Sequence, residues 1–309
     1  MAGKISYYIL TLGAFCILSI FSSYTNSIDD KKNNVEETKP VHTLPQIIKS
    51  IPIEGDFNFA TERIPIDIFD VRERLDRELL VNSYWHSSTV QNIKLANRFF
   101  PVIEKILAEQ GVPDDFKYLA VAESGLRNAT SSAGAKGFWQ FLKSTGKEYD
   151  MIIDHEIDER YHLEKATVAA CKYLKKQHAK FGSWTLAAAS YNAGARRINE
   201  ELTQQKGHSY FDLNLNQETS RYLFRILAMK EILSDPEKYG FQIPIDQRYA
   251  PLDNYINVAV TESNVQWADF AERNGISYRI LKVYNPWLVS SKVTNNSHRA
   301  YLVKVPRRE

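Results

Sequence analysis

Glu123 is the residue of this chain best placed for proton chemistry. It stands near the end of DDFKYLAVAES, where Phe116, Tyr118, Leu119, Val121 and Ala122 surround the carboxylate with apolar side chains. Burial disfavours a charged carboxylate, and so does the negative end of a helix. Both raise its pKa toward neutrality, the range in which a carboxyl serves as a general acid. Gly125 and a run of small residues (NATSSAGAKG) follow and leave space beside it for a ligand. On local composition alone, the alternative is an ordinary glutamate near a helix end. A second acid able to hold water would have to come from DMIIDHEIDER, Asp150 to Glu159, and these are expected to be solvated loop charges. His155, His162 and His178 do not show the spacing of metal ligands.

Helices must position this carboxyl. Ile68, Val71, Leu75, Leu79 and Leu80 fall at helical spacing among charges, and NIKLANRFFPVIEKILAEQ predicts a second helix that Pro101 either kinks or restarts. Gly111 ends it, and Pro113-Asp114-Asp115 opens the helix that carries Glu123. LEKATVAACKYLKKQHAKF is amphipathic, with Cys171 on its buried face as a small hydrophobe. SWTLAAASYNAGA is apolar on all sides, as a buried helix is, and LNQETSRYLFRILAMKEILS gives a long last helix stopped at Asp235-Pro236. No strand pattern precedes Pro244. Beyond it, YINVAV and AYLVKVP read as strands enclosing two short helices, a β-α-α-β module.

The 309 residues leave room for one large or two modest domains, and the 44% hydrophobic content is that of a globular chain with a real core. A net charge of +2 gives no concentrated basic face for nucleic acid, yet no repulsion from a polyanionic wall. Lys4 before the apolar run Ile5–Phe21 reads as an export signal, or an uncleaved anchor that associates with the membrane, over residues 1–27. Phe15 directly before Cys16 argues against lipidation there. The polar stretch that follows reads as a flexible linker, so the expected organisation is 1–27, linker 28–59, helical domain 60–248 and module 249–309.

Three motifs in order, ESGLRNATSSAGAKGFWQF, FGSWTLAAASYNAG and NQETSRYLFRILAMKEILSDPEKYGF, resemble the family-one lytic transglycosylases, most of all the membrane-bound murein transglycosylase D type. The resemblance implies a mainly α, lysozyme-like catalytic domain in the periplasm, acting on peptidoglycan glycan strands without a cofactor. It makes Glu123 the single catalytic residue and Ser124 its orienting neighbour. It assigns Ser131 (or Ser132), Gln140, Tyr191, Asn192, Glu218 and Tyr222 to the glycan groove. The family's usual Pro after the catalytic Glu is missing from RNATSS, and Arg196-Arg197 predict a more basic groove wall. The closest rival implied by the same fold is a goose-type-lysozyme-like hydrolase, and a different class is a catalytically silent wall-binding protein. The C-terminal module resembles a LysM repeat, with Trp267, Phe270, Tyr284 and Trp287 as either core residues or sugar platforms.

Overall fold

The computed structural model describes residues 49–307. The signal or anchor assigned to residues 1–27, and residues 28–48 of the linker assigned to 28–59, lie outside the described residues. Ordered packing begins before residue 60: Ile53, Phe57 and Phe59 are buried in the main core. Here β1 (Asn58–Phe59) pairs antiparallel with β2 (Glu62–Arg63). Strands this short show no alternating pattern, which is why this hairpin has no signature in the sequence. Its turn residues Ala60 and Thr61 both take left-handed φ, 50° and 71°. The turn is held by the Ala60 N–H, which donates to Asp115 Oδ2 at 2.7 Å.

Eight helices make the body among the described residues: α1 (Phe69–Tyr84), α2 (His86–Gln110), α3 (Lys117–Ser124), α4 (Lys143–Glu148), α5 (Leu163–Phe181), α6 (Trp184–Ala193), α7 (Ala195–Gln205) and α8 (Gln217–Ser234). The α2 helix starts earlier than its apolar periodicity and runs through Pro101 without restarting. The α6 helix is buried from Thr185 to Ser190, as its all-round apolar sequence requires. Cys171 is fully buried on α5, and burial pushes its thiol up to about 12. The α3 and α6 helices both pack on α8, so the segments bearing Glu123, Tyr191 and Tyr222 share one core.

The C-terminal module contains β3 (Tyr255–Val260), β4 (Val265–Gln266), α9 (Trp267–Arg273), α10 (Tyr278–Tyr284), β5 (Lys292–Val293) and β6 (Tyr301–Pro306). The β3 and β6 strands pair antiparallel, Tyr255 opposite Pro306 and Val260 opposite Tyr301. The alternation of YLVKVP buries Tyr301, Val303 and Val305 and leaves Leu302 exposed. The β4–β5 pair is an addition to the expected β-α-α-β order. Trp267, Phe270 and Trp287 are buried and Tyr284 is half-buried, so the first three are core residues, not exposed sugar platforms.

The β1–β2 hairpin also caps a helix of the site. The Glu62 carboxylate accepts from Ser183 Oγ at 2.9 Å, from Thr185 N at 3.0 Å and from Trp184 N, at the N-terminus of α6. A carboxylate there meets unpaired N–H groups and the positive end of the helix. Glu62→Ala is expected to destabilise the chain by about 1–2 kcal/mol in urea unfolding. A midpoint unchanged from wild type would show that the cap is dispensable.

Candidate active site

Glu123 lies in the last turn of α3, and Gly125 ends the helix at φ 59° with its N–H on Val121 O at 2.8 Å. A side chain at Gly125 would adopt a disfavoured φ and bring its Cβ to 3.0 Å from Asn92 Oδ1. The turn therefore stays tight, and Glu123 is left half-buried between α3 and α8. Burial raises its pKa from the ordinary 4.5 to about 7; the hydrogen bond from Tyr222 and the charge of Arg225 act the other way, and Glu218 adds to the rise. Tyr222 Oη donates to Glu123 Oε1. Burial, and then the neighbouring Glu123, push the Tyr222 hydroxyl well above its ordinary value, so it stays a donor.

Tyr191 is the third member of this centre. Its own pKa is raised by burial and then by the charge of Glu123. Its Oη donates to Trp139 O at 2.7 Å, and its ring lies edge-on to Phe141 and Tyr173. At the next residue, Asn192 Oδ1 accepts from Thr219 Oγ1 at 2.9 Å, which ties α6 to the start of α8. The α8 helix is itself capped by Asn216 Oδ1, which accepts from Thr219 N at 2.9 Å. Behind it, the Nε of Arg221 lies 2.5 Å from Oε1 of Glu78, which is 1% exposed. That pair joins α1 to the turn of α8 that carries Tyr222.

The remaining sequence-derived residues take other places. Ser124 does not touch the Glu123 carboxylate; its Oγ lies 3.1 Å from Ala120 O and 2.9 Å from Phe138 O, and so ties α3 to the loop beyond it. Gln140 sits at φ 47°, a strained backbone for a residue with a side chain. Its Nε2 donates to Gly137 O at 2.8 Å and Ala129 O at 3.2 Å, closing the loop. Ser131 is exposed and accepts from Ala135 N at 3.1 Å, and Glu218 is exposed on the first turn of α8. Arg196 and Arg197 pair with Glu200 and Glu201 on α7, which offsets the basic wall expected there.

Sequence reasoning missed Arg225, which lies three residues after Tyr222 and seven after Glu218 and acts electrostatically on Glu123. That spacing puts all three on one face of α8 and was the available signal. The acids between Asp150 and Glu159 are largely not solvated. Glu156, Asp158 and Glu159 are buried, and Asp154 Oδ1 accepts from the N–H groups of Glu156 and Ile157, both at 2.8 Å. His162 stacks on Trp287, and His178 stacks on Trp184.

Two outcomes follow from the Glu123–Tyr222 contact. The folded chain holds the Glu123 proton more tightly than the unfolded chain, so wild-type stability falls as pH rises from 4.5 through about 7. The loss is at most roughly 3 kcal/mol, at about 1.4 kcal/mol per pKa unit. Glu123→Gln abolishes this term, so its melting temperature relative to wild type should rise between pH 5 and pH 8. A pH-independent difference would count against the burial argument. Tyr222→Phe removes a hydrogen bond that lowers the acid's pKa, so carbon-13 NMR titration of Glu123 should give a higher value than wild type.

Two family models match parts of the chain. Residues 100–214 match the transglycosylase SLT domain, and residues 256–309 match the soluble lytic transglycosylase C-terminal LysM-like domain. The first match includes Glu123, Ser124, Ser131, Gln140, Tyr191 and Asn192; Glu218 and Tyr222 lie beyond its end. The membrane-bound lytic murein transglycosylases D of Escherichia coli K12 and of Escherichia coli O6:H1 are each 28% identical over 269 residues. The alignment takes in 84% of this chain and 57% of each relative, so the chain spans little more than half their length. A solved structure of an inactive mutant of the lytic transglycosylase Slt from Pseudomonas aeruginosa aligns at 20% identity and a TM-score of 0.37. That alignment covers 49% of this chain and 26% of the other.

Proposed function

We propose that this chain, which carries an SLT transglycosylase domain followed by a LysM-like domain, cleaves peptidoglycan non-hydrolytically. The bond is the β-1,4 linkage between N-acetylmuramic acid and N-acetylglucosamine, and the product is 1,6-anhydro-N-acetylmuramic acid. The observation that carries this reading is the half-buried Glu123, hydrogen-bonded by Tyr222 and with a pKa of about 7. Near neutrality such a group is present in both forms, which suits an acid that must next become a base.

In the first step, protonated Glu123 donates to the oxygen of the scissile bond as it breaks, and an oxocarbenium-like centre forms on the muramic sugar. The substrate's own N-acetyl carbonyl assists at that centre. Glu123, now ionised, is held by the Tyr222 hydroxyl, a charge-assisted bond that strengthens as the charge develops. In the second step Glu123 takes the proton of the sugar's 6-hydroxyl, whose oxygen closes the anhydro ring. The carboxyl is then restored, and no water is consumed. Gln140 and Asn192 line the approach, with Ser131 and Glu218 at its exposed rim.

Support against hydrolysis comes from the Asp150–Glu159 segment, where a water-holding acid would otherwise be sought. A retaining hydrolase places a second carboxylate about 5 Å from the first, and an inverting one places a base for water. Asp154, Glu156, Asp158 and Glu159 all have hydrogen-bond or ion-pair partners in the fold. Among the described residues, no helix is long and apolar enough to cross a membrane. Peptidoglycan as substrate places the site of action in the cell envelope, outside the cytoplasmic membrane, with residues 1–27 as the export or anchoring segment.

Mass spectrometry of muropeptides released from purified sacculi tests the reading. Wild type is expected to give anhydro products, lighter by one water than hydrolysis products, and Glu123→Gln at least about a thousandfold less. Reducing-end products would instead establish a hydrolase. Silence from wild type, with binding to sacculi retained, would favour the wall-binding alternative.

A further inference from the structure

The loop from Leu126 to Phe141 carries Ser131 and Gln140 and contains no helix; beside the isolated bridges Thr130–Lys136 and Lys136–Phe141 it is tied by turn contacts such as Ser131 N to Ala135 O at 2.9 Å and Gly137 N to Ala129 O at 3.0 Å. These turns close short stretches of an irregular segment, and its two sides are held together by a residue from outside it. That residue is Arg160. It is 4% exposed, and its Nη1 donates to Gly134 O at 3.0 Å and to Phe141 O at 3.2 Å, so one guanidinium grips both sides of the loop. Its Nε and Nη2 bind the two oxygens of Asp158 at 2.8 and 2.7 Å, which fixes the guanidinium plane. Lys136 reaches the same carboxylate at 3.5 Å, and Tyr161 Oη lies 2.9 Å from Thr130 Oγ1. At Gly137 the approach is so close that an added Cβ would lie 1.9 Å from the Arg160 carbonyl oxygen.

The other side of this segment belongs to the C-terminal module. Ile157 is buried in the module's own hydrophobic cluster and bridges to Leu288. Asp158 N–H donates to Trp287 O at 2.9 Å, and the N–H groups of Val289 and Ser290 donate to Glu156 O. The Glu156 carboxylate accepts from both the N–H and the Oγ1 of Thr294 at 2.8 Å. Residues 156–161 thus form a strap with the module on one face and the loop on the other. Withdrawing the module would take away the side chains around Ile157 and the partners of Glu156 and Asp158.

We infer that Arg160 is a positioning residue for the glycan groove, and that the docked C-terminal module sets the shape of the Leu126–Phe141 loop through it. The module acts here as a wall of the site, whether or not it binds glycan by itself. The inference rests on the glycan-cleaving reading for what the loop contacts, while the mechanical link stands on its own.

Hydrogen exchange by mass spectrometry, on the intact protein, tests the link without reference to activity. Arg160→Lys keeps a cation for Asp158 but loses the Nη1 that spans Gly134 and Phe141. Peptides covering 127–141 should exchange at least about tenfold faster, with α3 and α8 protected as in wild type. Thr294→Val, which alters only the module's side of the strap, should speed the same peptides to a smaller degree and serves if Arg160→Lys does not fold. Exchange of 127–141 unchanged in a folded variant at Arg160, or at Thr294 where Arg160→Lys fails to fold, would overturn the inference. On sacculi, Arg160→Lys should raise KM more than it lowers kcat, with the alkaline limb of the pH profile unmoved because Glu123 sets it. A fall in kcat alone would also overturn it. Absence of product from wild type would remove the glycan reading and leave the exchange result standing.

Discussion

The arrangement of the helical body depends on keeping one carboxyl partly out of water while giving it a hydrogen-bond donor. Glu123 in solvent would be an ordinary acid, fully ionised at neutral pH; buried without a partner it would resist ionisation. The Tyr222 hydroxyl opposes the effect of burial, and the two leave the carboxyl near 7. That balance requires α3 and α8 to be held together closely. The Glu78–Arg221 pair and the Asn216 cap position α8, Gly125 terminates α3, and the Glu62 cap fixes α6 beside them. Each of these contacts lies away from the Glu123 carboxyl and acts by limiting how far the three helices can shift.

Around this centre, polar residues serve the loop at least as much as a ligand. Ser124 and Gln140 each direct side-chain atoms at backbone carbonyls of the loop or of the helix before it. The left-handed backbone at Gln140 persists because its own side chain closes the turn around it. An irregular loop keeps one shape when a neighbouring segment helps define its walls. Arg160 and the strap it belongs to do so, and the carboxylates of that strap are consequently tied up in the fold.

Much of the helical domain was legible because its segments have unambiguous periodicity. The buried run before Tyr191, the amphipathic α5 and the glycine stops at Gly111 and Gly125 all correspond to elements in the structure. The β1–β2 hairpin was illegible because two-residue strands have no period, and its stability comes from Asp115 and Lys230, remote in the chain. The loop acids were misread for a related reason. DMIIDHEIDER is as charged as a solvated loop, and nothing local reveals that Thr294 and Arg160 will meet Glu156 and Asp158. The aromatics of the module were ambiguous until burial separated Trp267, Phe270 and Trp287 from the half-buried Tyr284.

The sequence by itself determined the helical class and the order of helical body and C-terminal module, and it singled out Glu123 as the candidate acid, because residue type, period and motif order are local properties. Tertiary structure decided which hydroxyl meets that acid, that Ser124 faces the loop instead of the carboxylate, and that Arg225 joins its electrostatic surroundings. It also decided that the C-terminal module docks on the strap beside the Leu126–Phe141 loop. The reason is that pKa and hydrogen-bond geometry depend on distances of a few ångströms between residues about a hundred or more apart in the chain, such as Glu123 and Tyr222 or Glu156 and Thr294, and only packing fixes those distances.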